Sequence, residues 1–180
     1  MPAFTSNNSG RLLELARKAI EYHLDTSSLL PVGKVPDELL VPLGCFVTLK
    51  KRGQLRGCIG TFSTTEPLAE NVIRMAVAAA FKDPRFPKVQ HKELPDIKID
   101  LSVLGPMEKV ESLDEIEIGK HGIHVRLGYK SGTFLPEVAV EQKWSVPEFV
   151  TYCAREKAGL DPKQIAQAEI SRYTVDKISE

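Results

Sequence analysis

The chain has 180 residues, 42% of them hydrophobic and 27% charged. That is an ordinary globular composition, long enough to bury a core without metal or disulfide staples. Lys+Arg and Asp+Glu both number 24, so the formal net charge is zero and the basic excess of a nucleic-acid binder is absent. No apolar run approaches the ~20 residues of a membrane span, and MPAFTSNNSG has no apolar signal core.

Residues 1–9 read as a flexible polar tail, followed by a single domain over 10–180. Leu12, Ala16, Ile20 and Leu24 recur every four residues, which predicts an amphipathic helix. Residues 25–43 form a proline-punctuated connection with one turn at Asp37–Leu40. Cys45–Lys50 and Leu55–Ile59 read as a hairpin around Lys51-Arg52-Gly53-Gln54. Its run of Lys50, Lys51 and Arg52, with Arg56, reads as a solvated tip. Thr65 is the expected cap of a helix carrying Leu68, Val72, Met75, Ala76 and Ala79 on its buried side, and Asp83-Pro84-Arg85-Phe86-Pro87 ends it.

Ile97, Ile99, Leu101 and Val103 alternate with polar residues in a half-buried strand, as do Ile123, Val125 and Leu127. Lys130-Ser131-Gly132 is the expected turn, with Thr133–Leu135 pairing back. Ser145 and Glu148 have capping-box spacing before a helical face of Phe149, Val150, Cys153 and Ala154, with Gly159 as its terminator. Asp161-Pro162 opens a short helix, and 170–177 alternates as one final strand. Hairpins with helices between them give an α+β class, a mainly antiparallel sheet with flanking helices.

The most informative run is Leu55-Arg56-Gly57-Cys58-Ile59-Gly60-Thr61-Phe62. Glycine inside a strand packs nothing, so two of them around a cysteine signal close approach by another backbone, side chain or ligand. Simple alternation puts Arg56 and Cys58 on one face, with Leu55 and Ile59 on the other. A cation beside a thiol favours the thiolate, the nucleophilic form, and Arg56 could instead hold a carboxylate or phosphate. The plainer reading makes Cys58 a small buried hydrophobe and Arg56 an ion-pair partner.

This run resembles the signature of the AMMECR family, named for the AMME-syndrome candidate-region protein; prokaryotic members look like AmmeMemoRadiSam system protein A. Its companions occur in family order: Gly44–Leu49, Ala79–Phe86, Ile118–Gly122, Phe134–Val138, Trp144 and Lys157–Leu160. The resemblance implies two unequal α+β lobes with a cleft between them. It also implies a setting beside a Memo-type protein, related to non-haem-iron dioxygenases, and a radical SAM protein. It implies no particular reaction.

Other candidates surround that run. His121, between glycines in Gly119-Lys120-His121-Gly122, could serve Cys58 as a general base or be a solvated loop residue. Asp83 and Arg85 read as an internally paired turn or as a polar wall with Arg85 binding an anion. Glu141 is an acid, a base or a backbone partner. Cys45 and Cys153 sit on apolar faces. Three cysteines without CxxC spacing suit a reducing, cytoplasmic compartment. The histidines have no metal-ligand spacing, and GxGxxG, P-loop, HExxH and GxSxG motifs are absent, so neither metal nor cofactor is expected.

Three functional readings follow. In the first, an enzyme or enzyme component uses Cys58 with Arg56 and His121 on a small molecule or in a modification reaction. Its binding surface would be Leu55, Gly57, Ile59, Gly60, Thr61, Phe62, Asp83, Arg85 and Glu141. In the second, the same surface docks a protein partner without chemistry. In the third, disfavoured by charge, the protein is regulatory or associates with nucleic acid.

Overall fold

A computed structural model describes residues 6–62 and 65–180, with Ser6 in its backbone only. The expected tail lies outside these residues at 1–5, while 6–9 form the start of the first helix. The chain forms two compact units, one from residues up to Leu104 together with Asp176–Glu180, the other from Gly105–Val175.

In the first unit, α1 (Ser6–Thr26) buries Leu12, Ala16 and Ile20, the stripe that its four-residue spacing predicts. β1 (Cys45–Lys51), β2 (Gln54–Thr61), β3 (Ile97–Leu104) and β8 (Val175–Ser179) make a sheet in the order β2-β1-β3-β8. β1 pairs antiparallel with both β2 and β3. Cys45, Val47 and Leu49 of β1, opposite Val103, Leu101 and Ile99 of β3, face α1 and α2 (Leu68–Phe81) and are all buried. The alternate residues Phe46, Thr48, Asp100 and Ser102 lie on the sheet's other face. The structure corrects the expected cap: α2 begins at Leu68, not at Thr65. Leu68 N–H donates to the Val41 carbonyl at 2.9 Å, so main chain does the work of a side-chain cap.

In the second unit, β4 (Glu108–Lys109), β5 (Gly122–Leu127), β6 (Lys130–Phe134) and β7 (Glu169–Tyr173) order as β4-β7-β5-β6. Helices α3 (Pro136–Gln142), α4 (Val146–Tyr152) and α5 (Pro162–Ile165) accompany them. Ile123, Val125, Phe134, Phe149, Val150 and Cys153 form the core. Ser145 and Glu148 make the expected capping box, with Ser145 N–H donating to Glu148 at 2.8 Å. α4 then widens into one π-helical turn at Cys153–Lys157.

Three further expectations are corrected. The β5–β6 turn falls at Gly128-Tyr129, not Lys130-Ser131-Gly132, because Gly128 takes the positive φ of +60° and Leu127 pairs with Lys130. α3 occupies a run that periodicity assigned to no element. The single final strand is two strands broken at Thr174, one in each sheet. No helix of the described residues is long and apolar enough to cross a membrane.

Candidate functional site

The run Leu55–Phe62 lies on and just beyond β2, the edge strand of the first sheet. Gly57 opposes Leu49 and Ile59 opposes Val47 on the helix-facing side. Cys58 opposes Thr48, and Gly60 opposes Phe46, on the other face. The register slips between Leu49 and Lys50, since Lys50 opposes Leu55, and Arg56 is the extra residue of a β-bulge.

That bulge overturns the expected neighbourhood of Arg56 and Cys58. Simple alternation fails at the inserted residue, and Arg56 turns instead to Glu93, in the 3-10 turn His91–Asp96. Arg56 Nη2 and Nε donate to the two Glu93 carboxylate oxygens at 3.0 and 3.2 Å, and Lys51 Nζ donates to Oε1 at 2.9 Å. Arg56 is only 8% exposed. Its hydrogen bond is the main cause that brings the Glu93 carboxyl down to about 2 against the opposing effect of burial. The basic tip is likewise matched by acids: Lys50 meets Asp100 at 2.6 Å and Arg52 meets Asp96 at 3.6 Å.

The cation near Cys58 is Arg85. An edge strand leaves main-chain donors and acceptors unpaired on its outer side, and the Asp83-Pro84-Arg85 turn occupies those of Cys58. Cys58 N–H donates to Asp83 Oδ2 at 2.9 Å, and Arg85 Nη2 donates to the Cys58 carbonyl at 3.2 Å. Within the turn, Arg85 Nε and Nη2 donate to the two Asp83 oxygens at 2.9 and 2.7 Å. Asp83 is buried, and the Arg85 hydrogen bond holds its carboxyl far below the usual carboxylate range although burial opposes this. So the internally paired turn is also a clamp that fixes the Cys58 backbone. The thiol points to the open face, where Sγ lies 3.2 Å from Thr48 Oγ1 and either atom can donate.

Both glycines of the run answer close approaches. A Cβ at Gly57 would stand 2.2 Å from the Ala79 carbonyl oxygen, so the missing side chain lets α2 lie directly on β2 there. A Cβ at Gly60 would stand 2.2 Å from the Phe46 ring, which leans across the strand and meets Phe62 edge-on at 5.1 Å. Ile59 packs against the core and Leu55 is exposed. Thr61, opposite Cys45, ends β2.

The remaining candidates belong to the second unit. The His121 ring is buried, and its Nδ1 accepts from Glu117 N–H at 3.0 Å, which leaves the proton of a neutral ring on Nε2. Burial first, then Arg172, pushes the pKa of His121 down. The ring thus closes its own loop. Glu141 is exposed on α3. Among the described residues, no three His, Cys, Asp or Glu side chains converge as metal ligands.

The AMMECR1 family model matches residues 13–178. The chain belongs to the AMMECR1 family. A Methanothermobacter thermautotrophicus protein is 43% identical over 176 residues, covering 93% of this chain and 91% of its own. Protein MK0488 of Methanopyrus kandleri is 42% identical over 160 residues, 84% of this chain and 77% of its own. The crystal structure of the uncharacterized protein PH0010 from Pyrococcus horikoshii matches with a TM-score of 0.82 at 34% identity, covering 97% of this chain and 92% of that one. It has the same α+β fold.

Within this AMMECR1 chain, the structure brings together Cys58, Asp83 and Arg85, and separately Arg56 with Glu93. Sequence reading missed Glu93, Thr48, Phe46 and Asp100. The two-residue period of a strand over Cys45–Lys50 is the signal that would have put Phe46 and Thr48 on one face. Glu93 had no such signal, because its pairing spans 37 residues.

Proposed function

We propose that the protein works through the open face of its first sheet. There the Cys58 thiol acts as nucleophile or carrier toward a small molecule or in a modification reaction. One observation carries this reading: the Cys58 main chain is clamped at both polar groups while its thiol is left half-buried beside a hydroxyl. Thiolate is the reactive form, and a neighbouring cation favours it. The guanidinium at Cys58 is that of Arg85, on the Cys58 carbonyl, and not that of Arg56; Asp83 is the first cause that holds it charged. His121 has no part in this reading, since its Nδ1 is committed to the Glu117 amide. All three cysteines are free, which suits a reducing cytoplasm. The test is intact-mass analysis of protein purified without reductant from its own cells. A hydroxylamine-labile adduct on the Cys58 peptide, absent from Cys58→Ser, supports a carrier. An unmodified Cys58 peptide that also resists alkylation in the native protein rejects it.

A second reading, docking of a protein partner, draws on Phe46, Phe62 and exposed Leu55 on or beside the same face. The Memo-type and radical SAM proteins that accompany prokaryotic relatives are the partners to try, as purified proteins. Leu55→Asp should abolish binding with the fold intact, while equal binding by the variant would remove the face from consideration.

A further inference from the structure

A cavity of about 320 Å³ opens on the flank of α1 in the first unit, and its lining includes no residue of β2. The α1 stripe at Leu12, Ala16 and Ile20 is spent on the core. Arg11, Glu14, Leu15 and Lys18 follow the i, i+3, i+4, i+7 spacing of a neighbouring face and line the cavity together. Lys34 and Val35, in the connection after α1, complete it. The lining has two parts. Leu15 and Val35 are partly buried and pack against the core, which gives an apolar floor. Arg11, Glu14, Lys18 and Lys34 are exposed, which gives a charged rim.

The rim is unevenly charged. Lys18 Nζ meets Glu14 Oε1 at 2.6 Å, and that pair neutralises itself. The Glu14 carboxyl is held below its ordinary value first by Lys18 and then, more weakly, by the charge of Arg11. Arg11 and Lys34 have no hydrogen bond or ion pair among the described residues. Three cations against one carboxylate leave an excess of two positive charges, in a chain whose formal net charge is zero. Other cations of this unit are matched: Arg17 by Glu180, Lys50 by Asp100, Lys51 and Arg56 by Glu93. Cations that are merely solvated need no concave apolar floor between them.

We propose that this cavity binds a small phosphate monoester, its phosphate between Arg11 and Lys34 and a compact apolar substituent on Leu15 and Val35. Such a phosphate carries about −1.5 to −2 at neutral pH, which matches the excess of the rim. Arg11 can offer two parallel N–H donors to phosphate oxygens, and Lys34 a point charge. The volume lies at the small end of ligand sites, so the substituent has a few carbons and is not a polymer. This site and the Cys58 reading stand independently of each other.

The test is reversible binding to the isotope-labelled full chain at low salt, read from amide resonances. Butyl phosphate should shift Arg11, Leu15, Lys34 and Val35 saturably. Inorganic phosphate, which lacks the apolar contact, should bind about tenfold more weakly, and butanol should give no saturable shift. Arg11→Ala and Lys34→Ala should each weaken butyl phosphate about fivefold. Lys34→Arg should retain it, and Lys163→Ala, in the other unit, should change nothing. All three positions are exposed, so the variants keep the fold, which unchanged resonances elsewhere verify. Equal binding of butyl phosphate and inorganic phosphate would reduce the cavity to an unselective ion-pairing surface and overturn the proposal. Shifts spread over lysines of both units, or undiminished binding by an Arg11→Ala/Lys34→Ala double variant, would overturn it as well.

Discussion

The two sides of β2 carry residues of one eight-residue run under opposite constraints. On the helix side, Gly57 has α2 main chain against it and Ile59 packs into the core, while at the bulge Arg56 is locked to Glu93. Substitutions there alter packing and buried charge. On the other side, the Cys58 thiol meets Thr48 and Gly60 lies under the Phe46 ring. What constrains them is a clamp on the main chain and an aromatic ring leaning across from β1. The comparison teaches that a signature can be dense because one strand serves a core and a working surface at once. Arg56 belongs to the first role although its place in the sequence suggested the second.

The largest effect should come from breaking the buried pair on the helix side. Glu93→Ala leaves the Arg56 guanidinium uncompensated at 8% exposure, which should cost about 3–5 kcal/mol in chemical denaturation. The double variant Arg56→Met/Glu93→Leu should recover most of that. A double variant as unstable as the single would mean that packing, not charge, dominates. Next, Gly57→Ala forces a methyl toward the Ala79 carbonyl and should cost about 2–3 kcal/mol. Gly60→Ala, opposed by a ring that can swing away, should cost about 1 kcal/mol. Equal losses at the two glycines would erase the distinction between the faces.

Acid sharpens the same contrast. Glu93 is depressed from its ordinary 4.5 to about 2, so the stability it contributes is present above pH 4.5 and is lost as pH falls toward 2. Asp83, also depressed, adds in the same direction. Glu93→Gln should therefore flatten the fall in stability across that window, measured by denaturant midpoints at successive pH values. The smallest effect on stability belongs to the open face. Thr48→Val should change it by less than about 1 kcal/mol yet slow alkylation of Cys58, because the hydroxyl that can donate to sulfur is gone.

The alternation of β3 and β5, the stripe of α1 and the capping box at Ser145 were legible because each is a local pattern with a fixed spacing. The bulge was not. One inserted residue leaves the composition of a strand unchanged while reversing which face a side chain takes, and so the Arg56–Cys58 pairing was misread. The break at Thr174 was hidden for a similar reason, since both strands keep the period of two while belonging to different sheets. The valines of α3 mask a helix that Pro136 starts. In the site, Cys58, Asp83 and Arg85 were each visible as unusual residues. They were also expected on one surface, but the hydrogen bonds that join them were not visible, because these depend on an edge strand meeting a turn 25 residues away.

Burial pushes the Cys45 and Cys153 thiols up to about 12, which leaves half-buried Cys58 as the thiol proposed for chemistry. Iodoacetamide labelling of the native protein across a pH series, read peptide by peptide, tests this directly. The account predicts that Cys58 labels at least about 100-fold faster than the other two, and that all three converge on unfolding. A Cys58 that stays unlabelled until the protein unfolds, or that labels in step with Cys45 and Cys153, would contradict it.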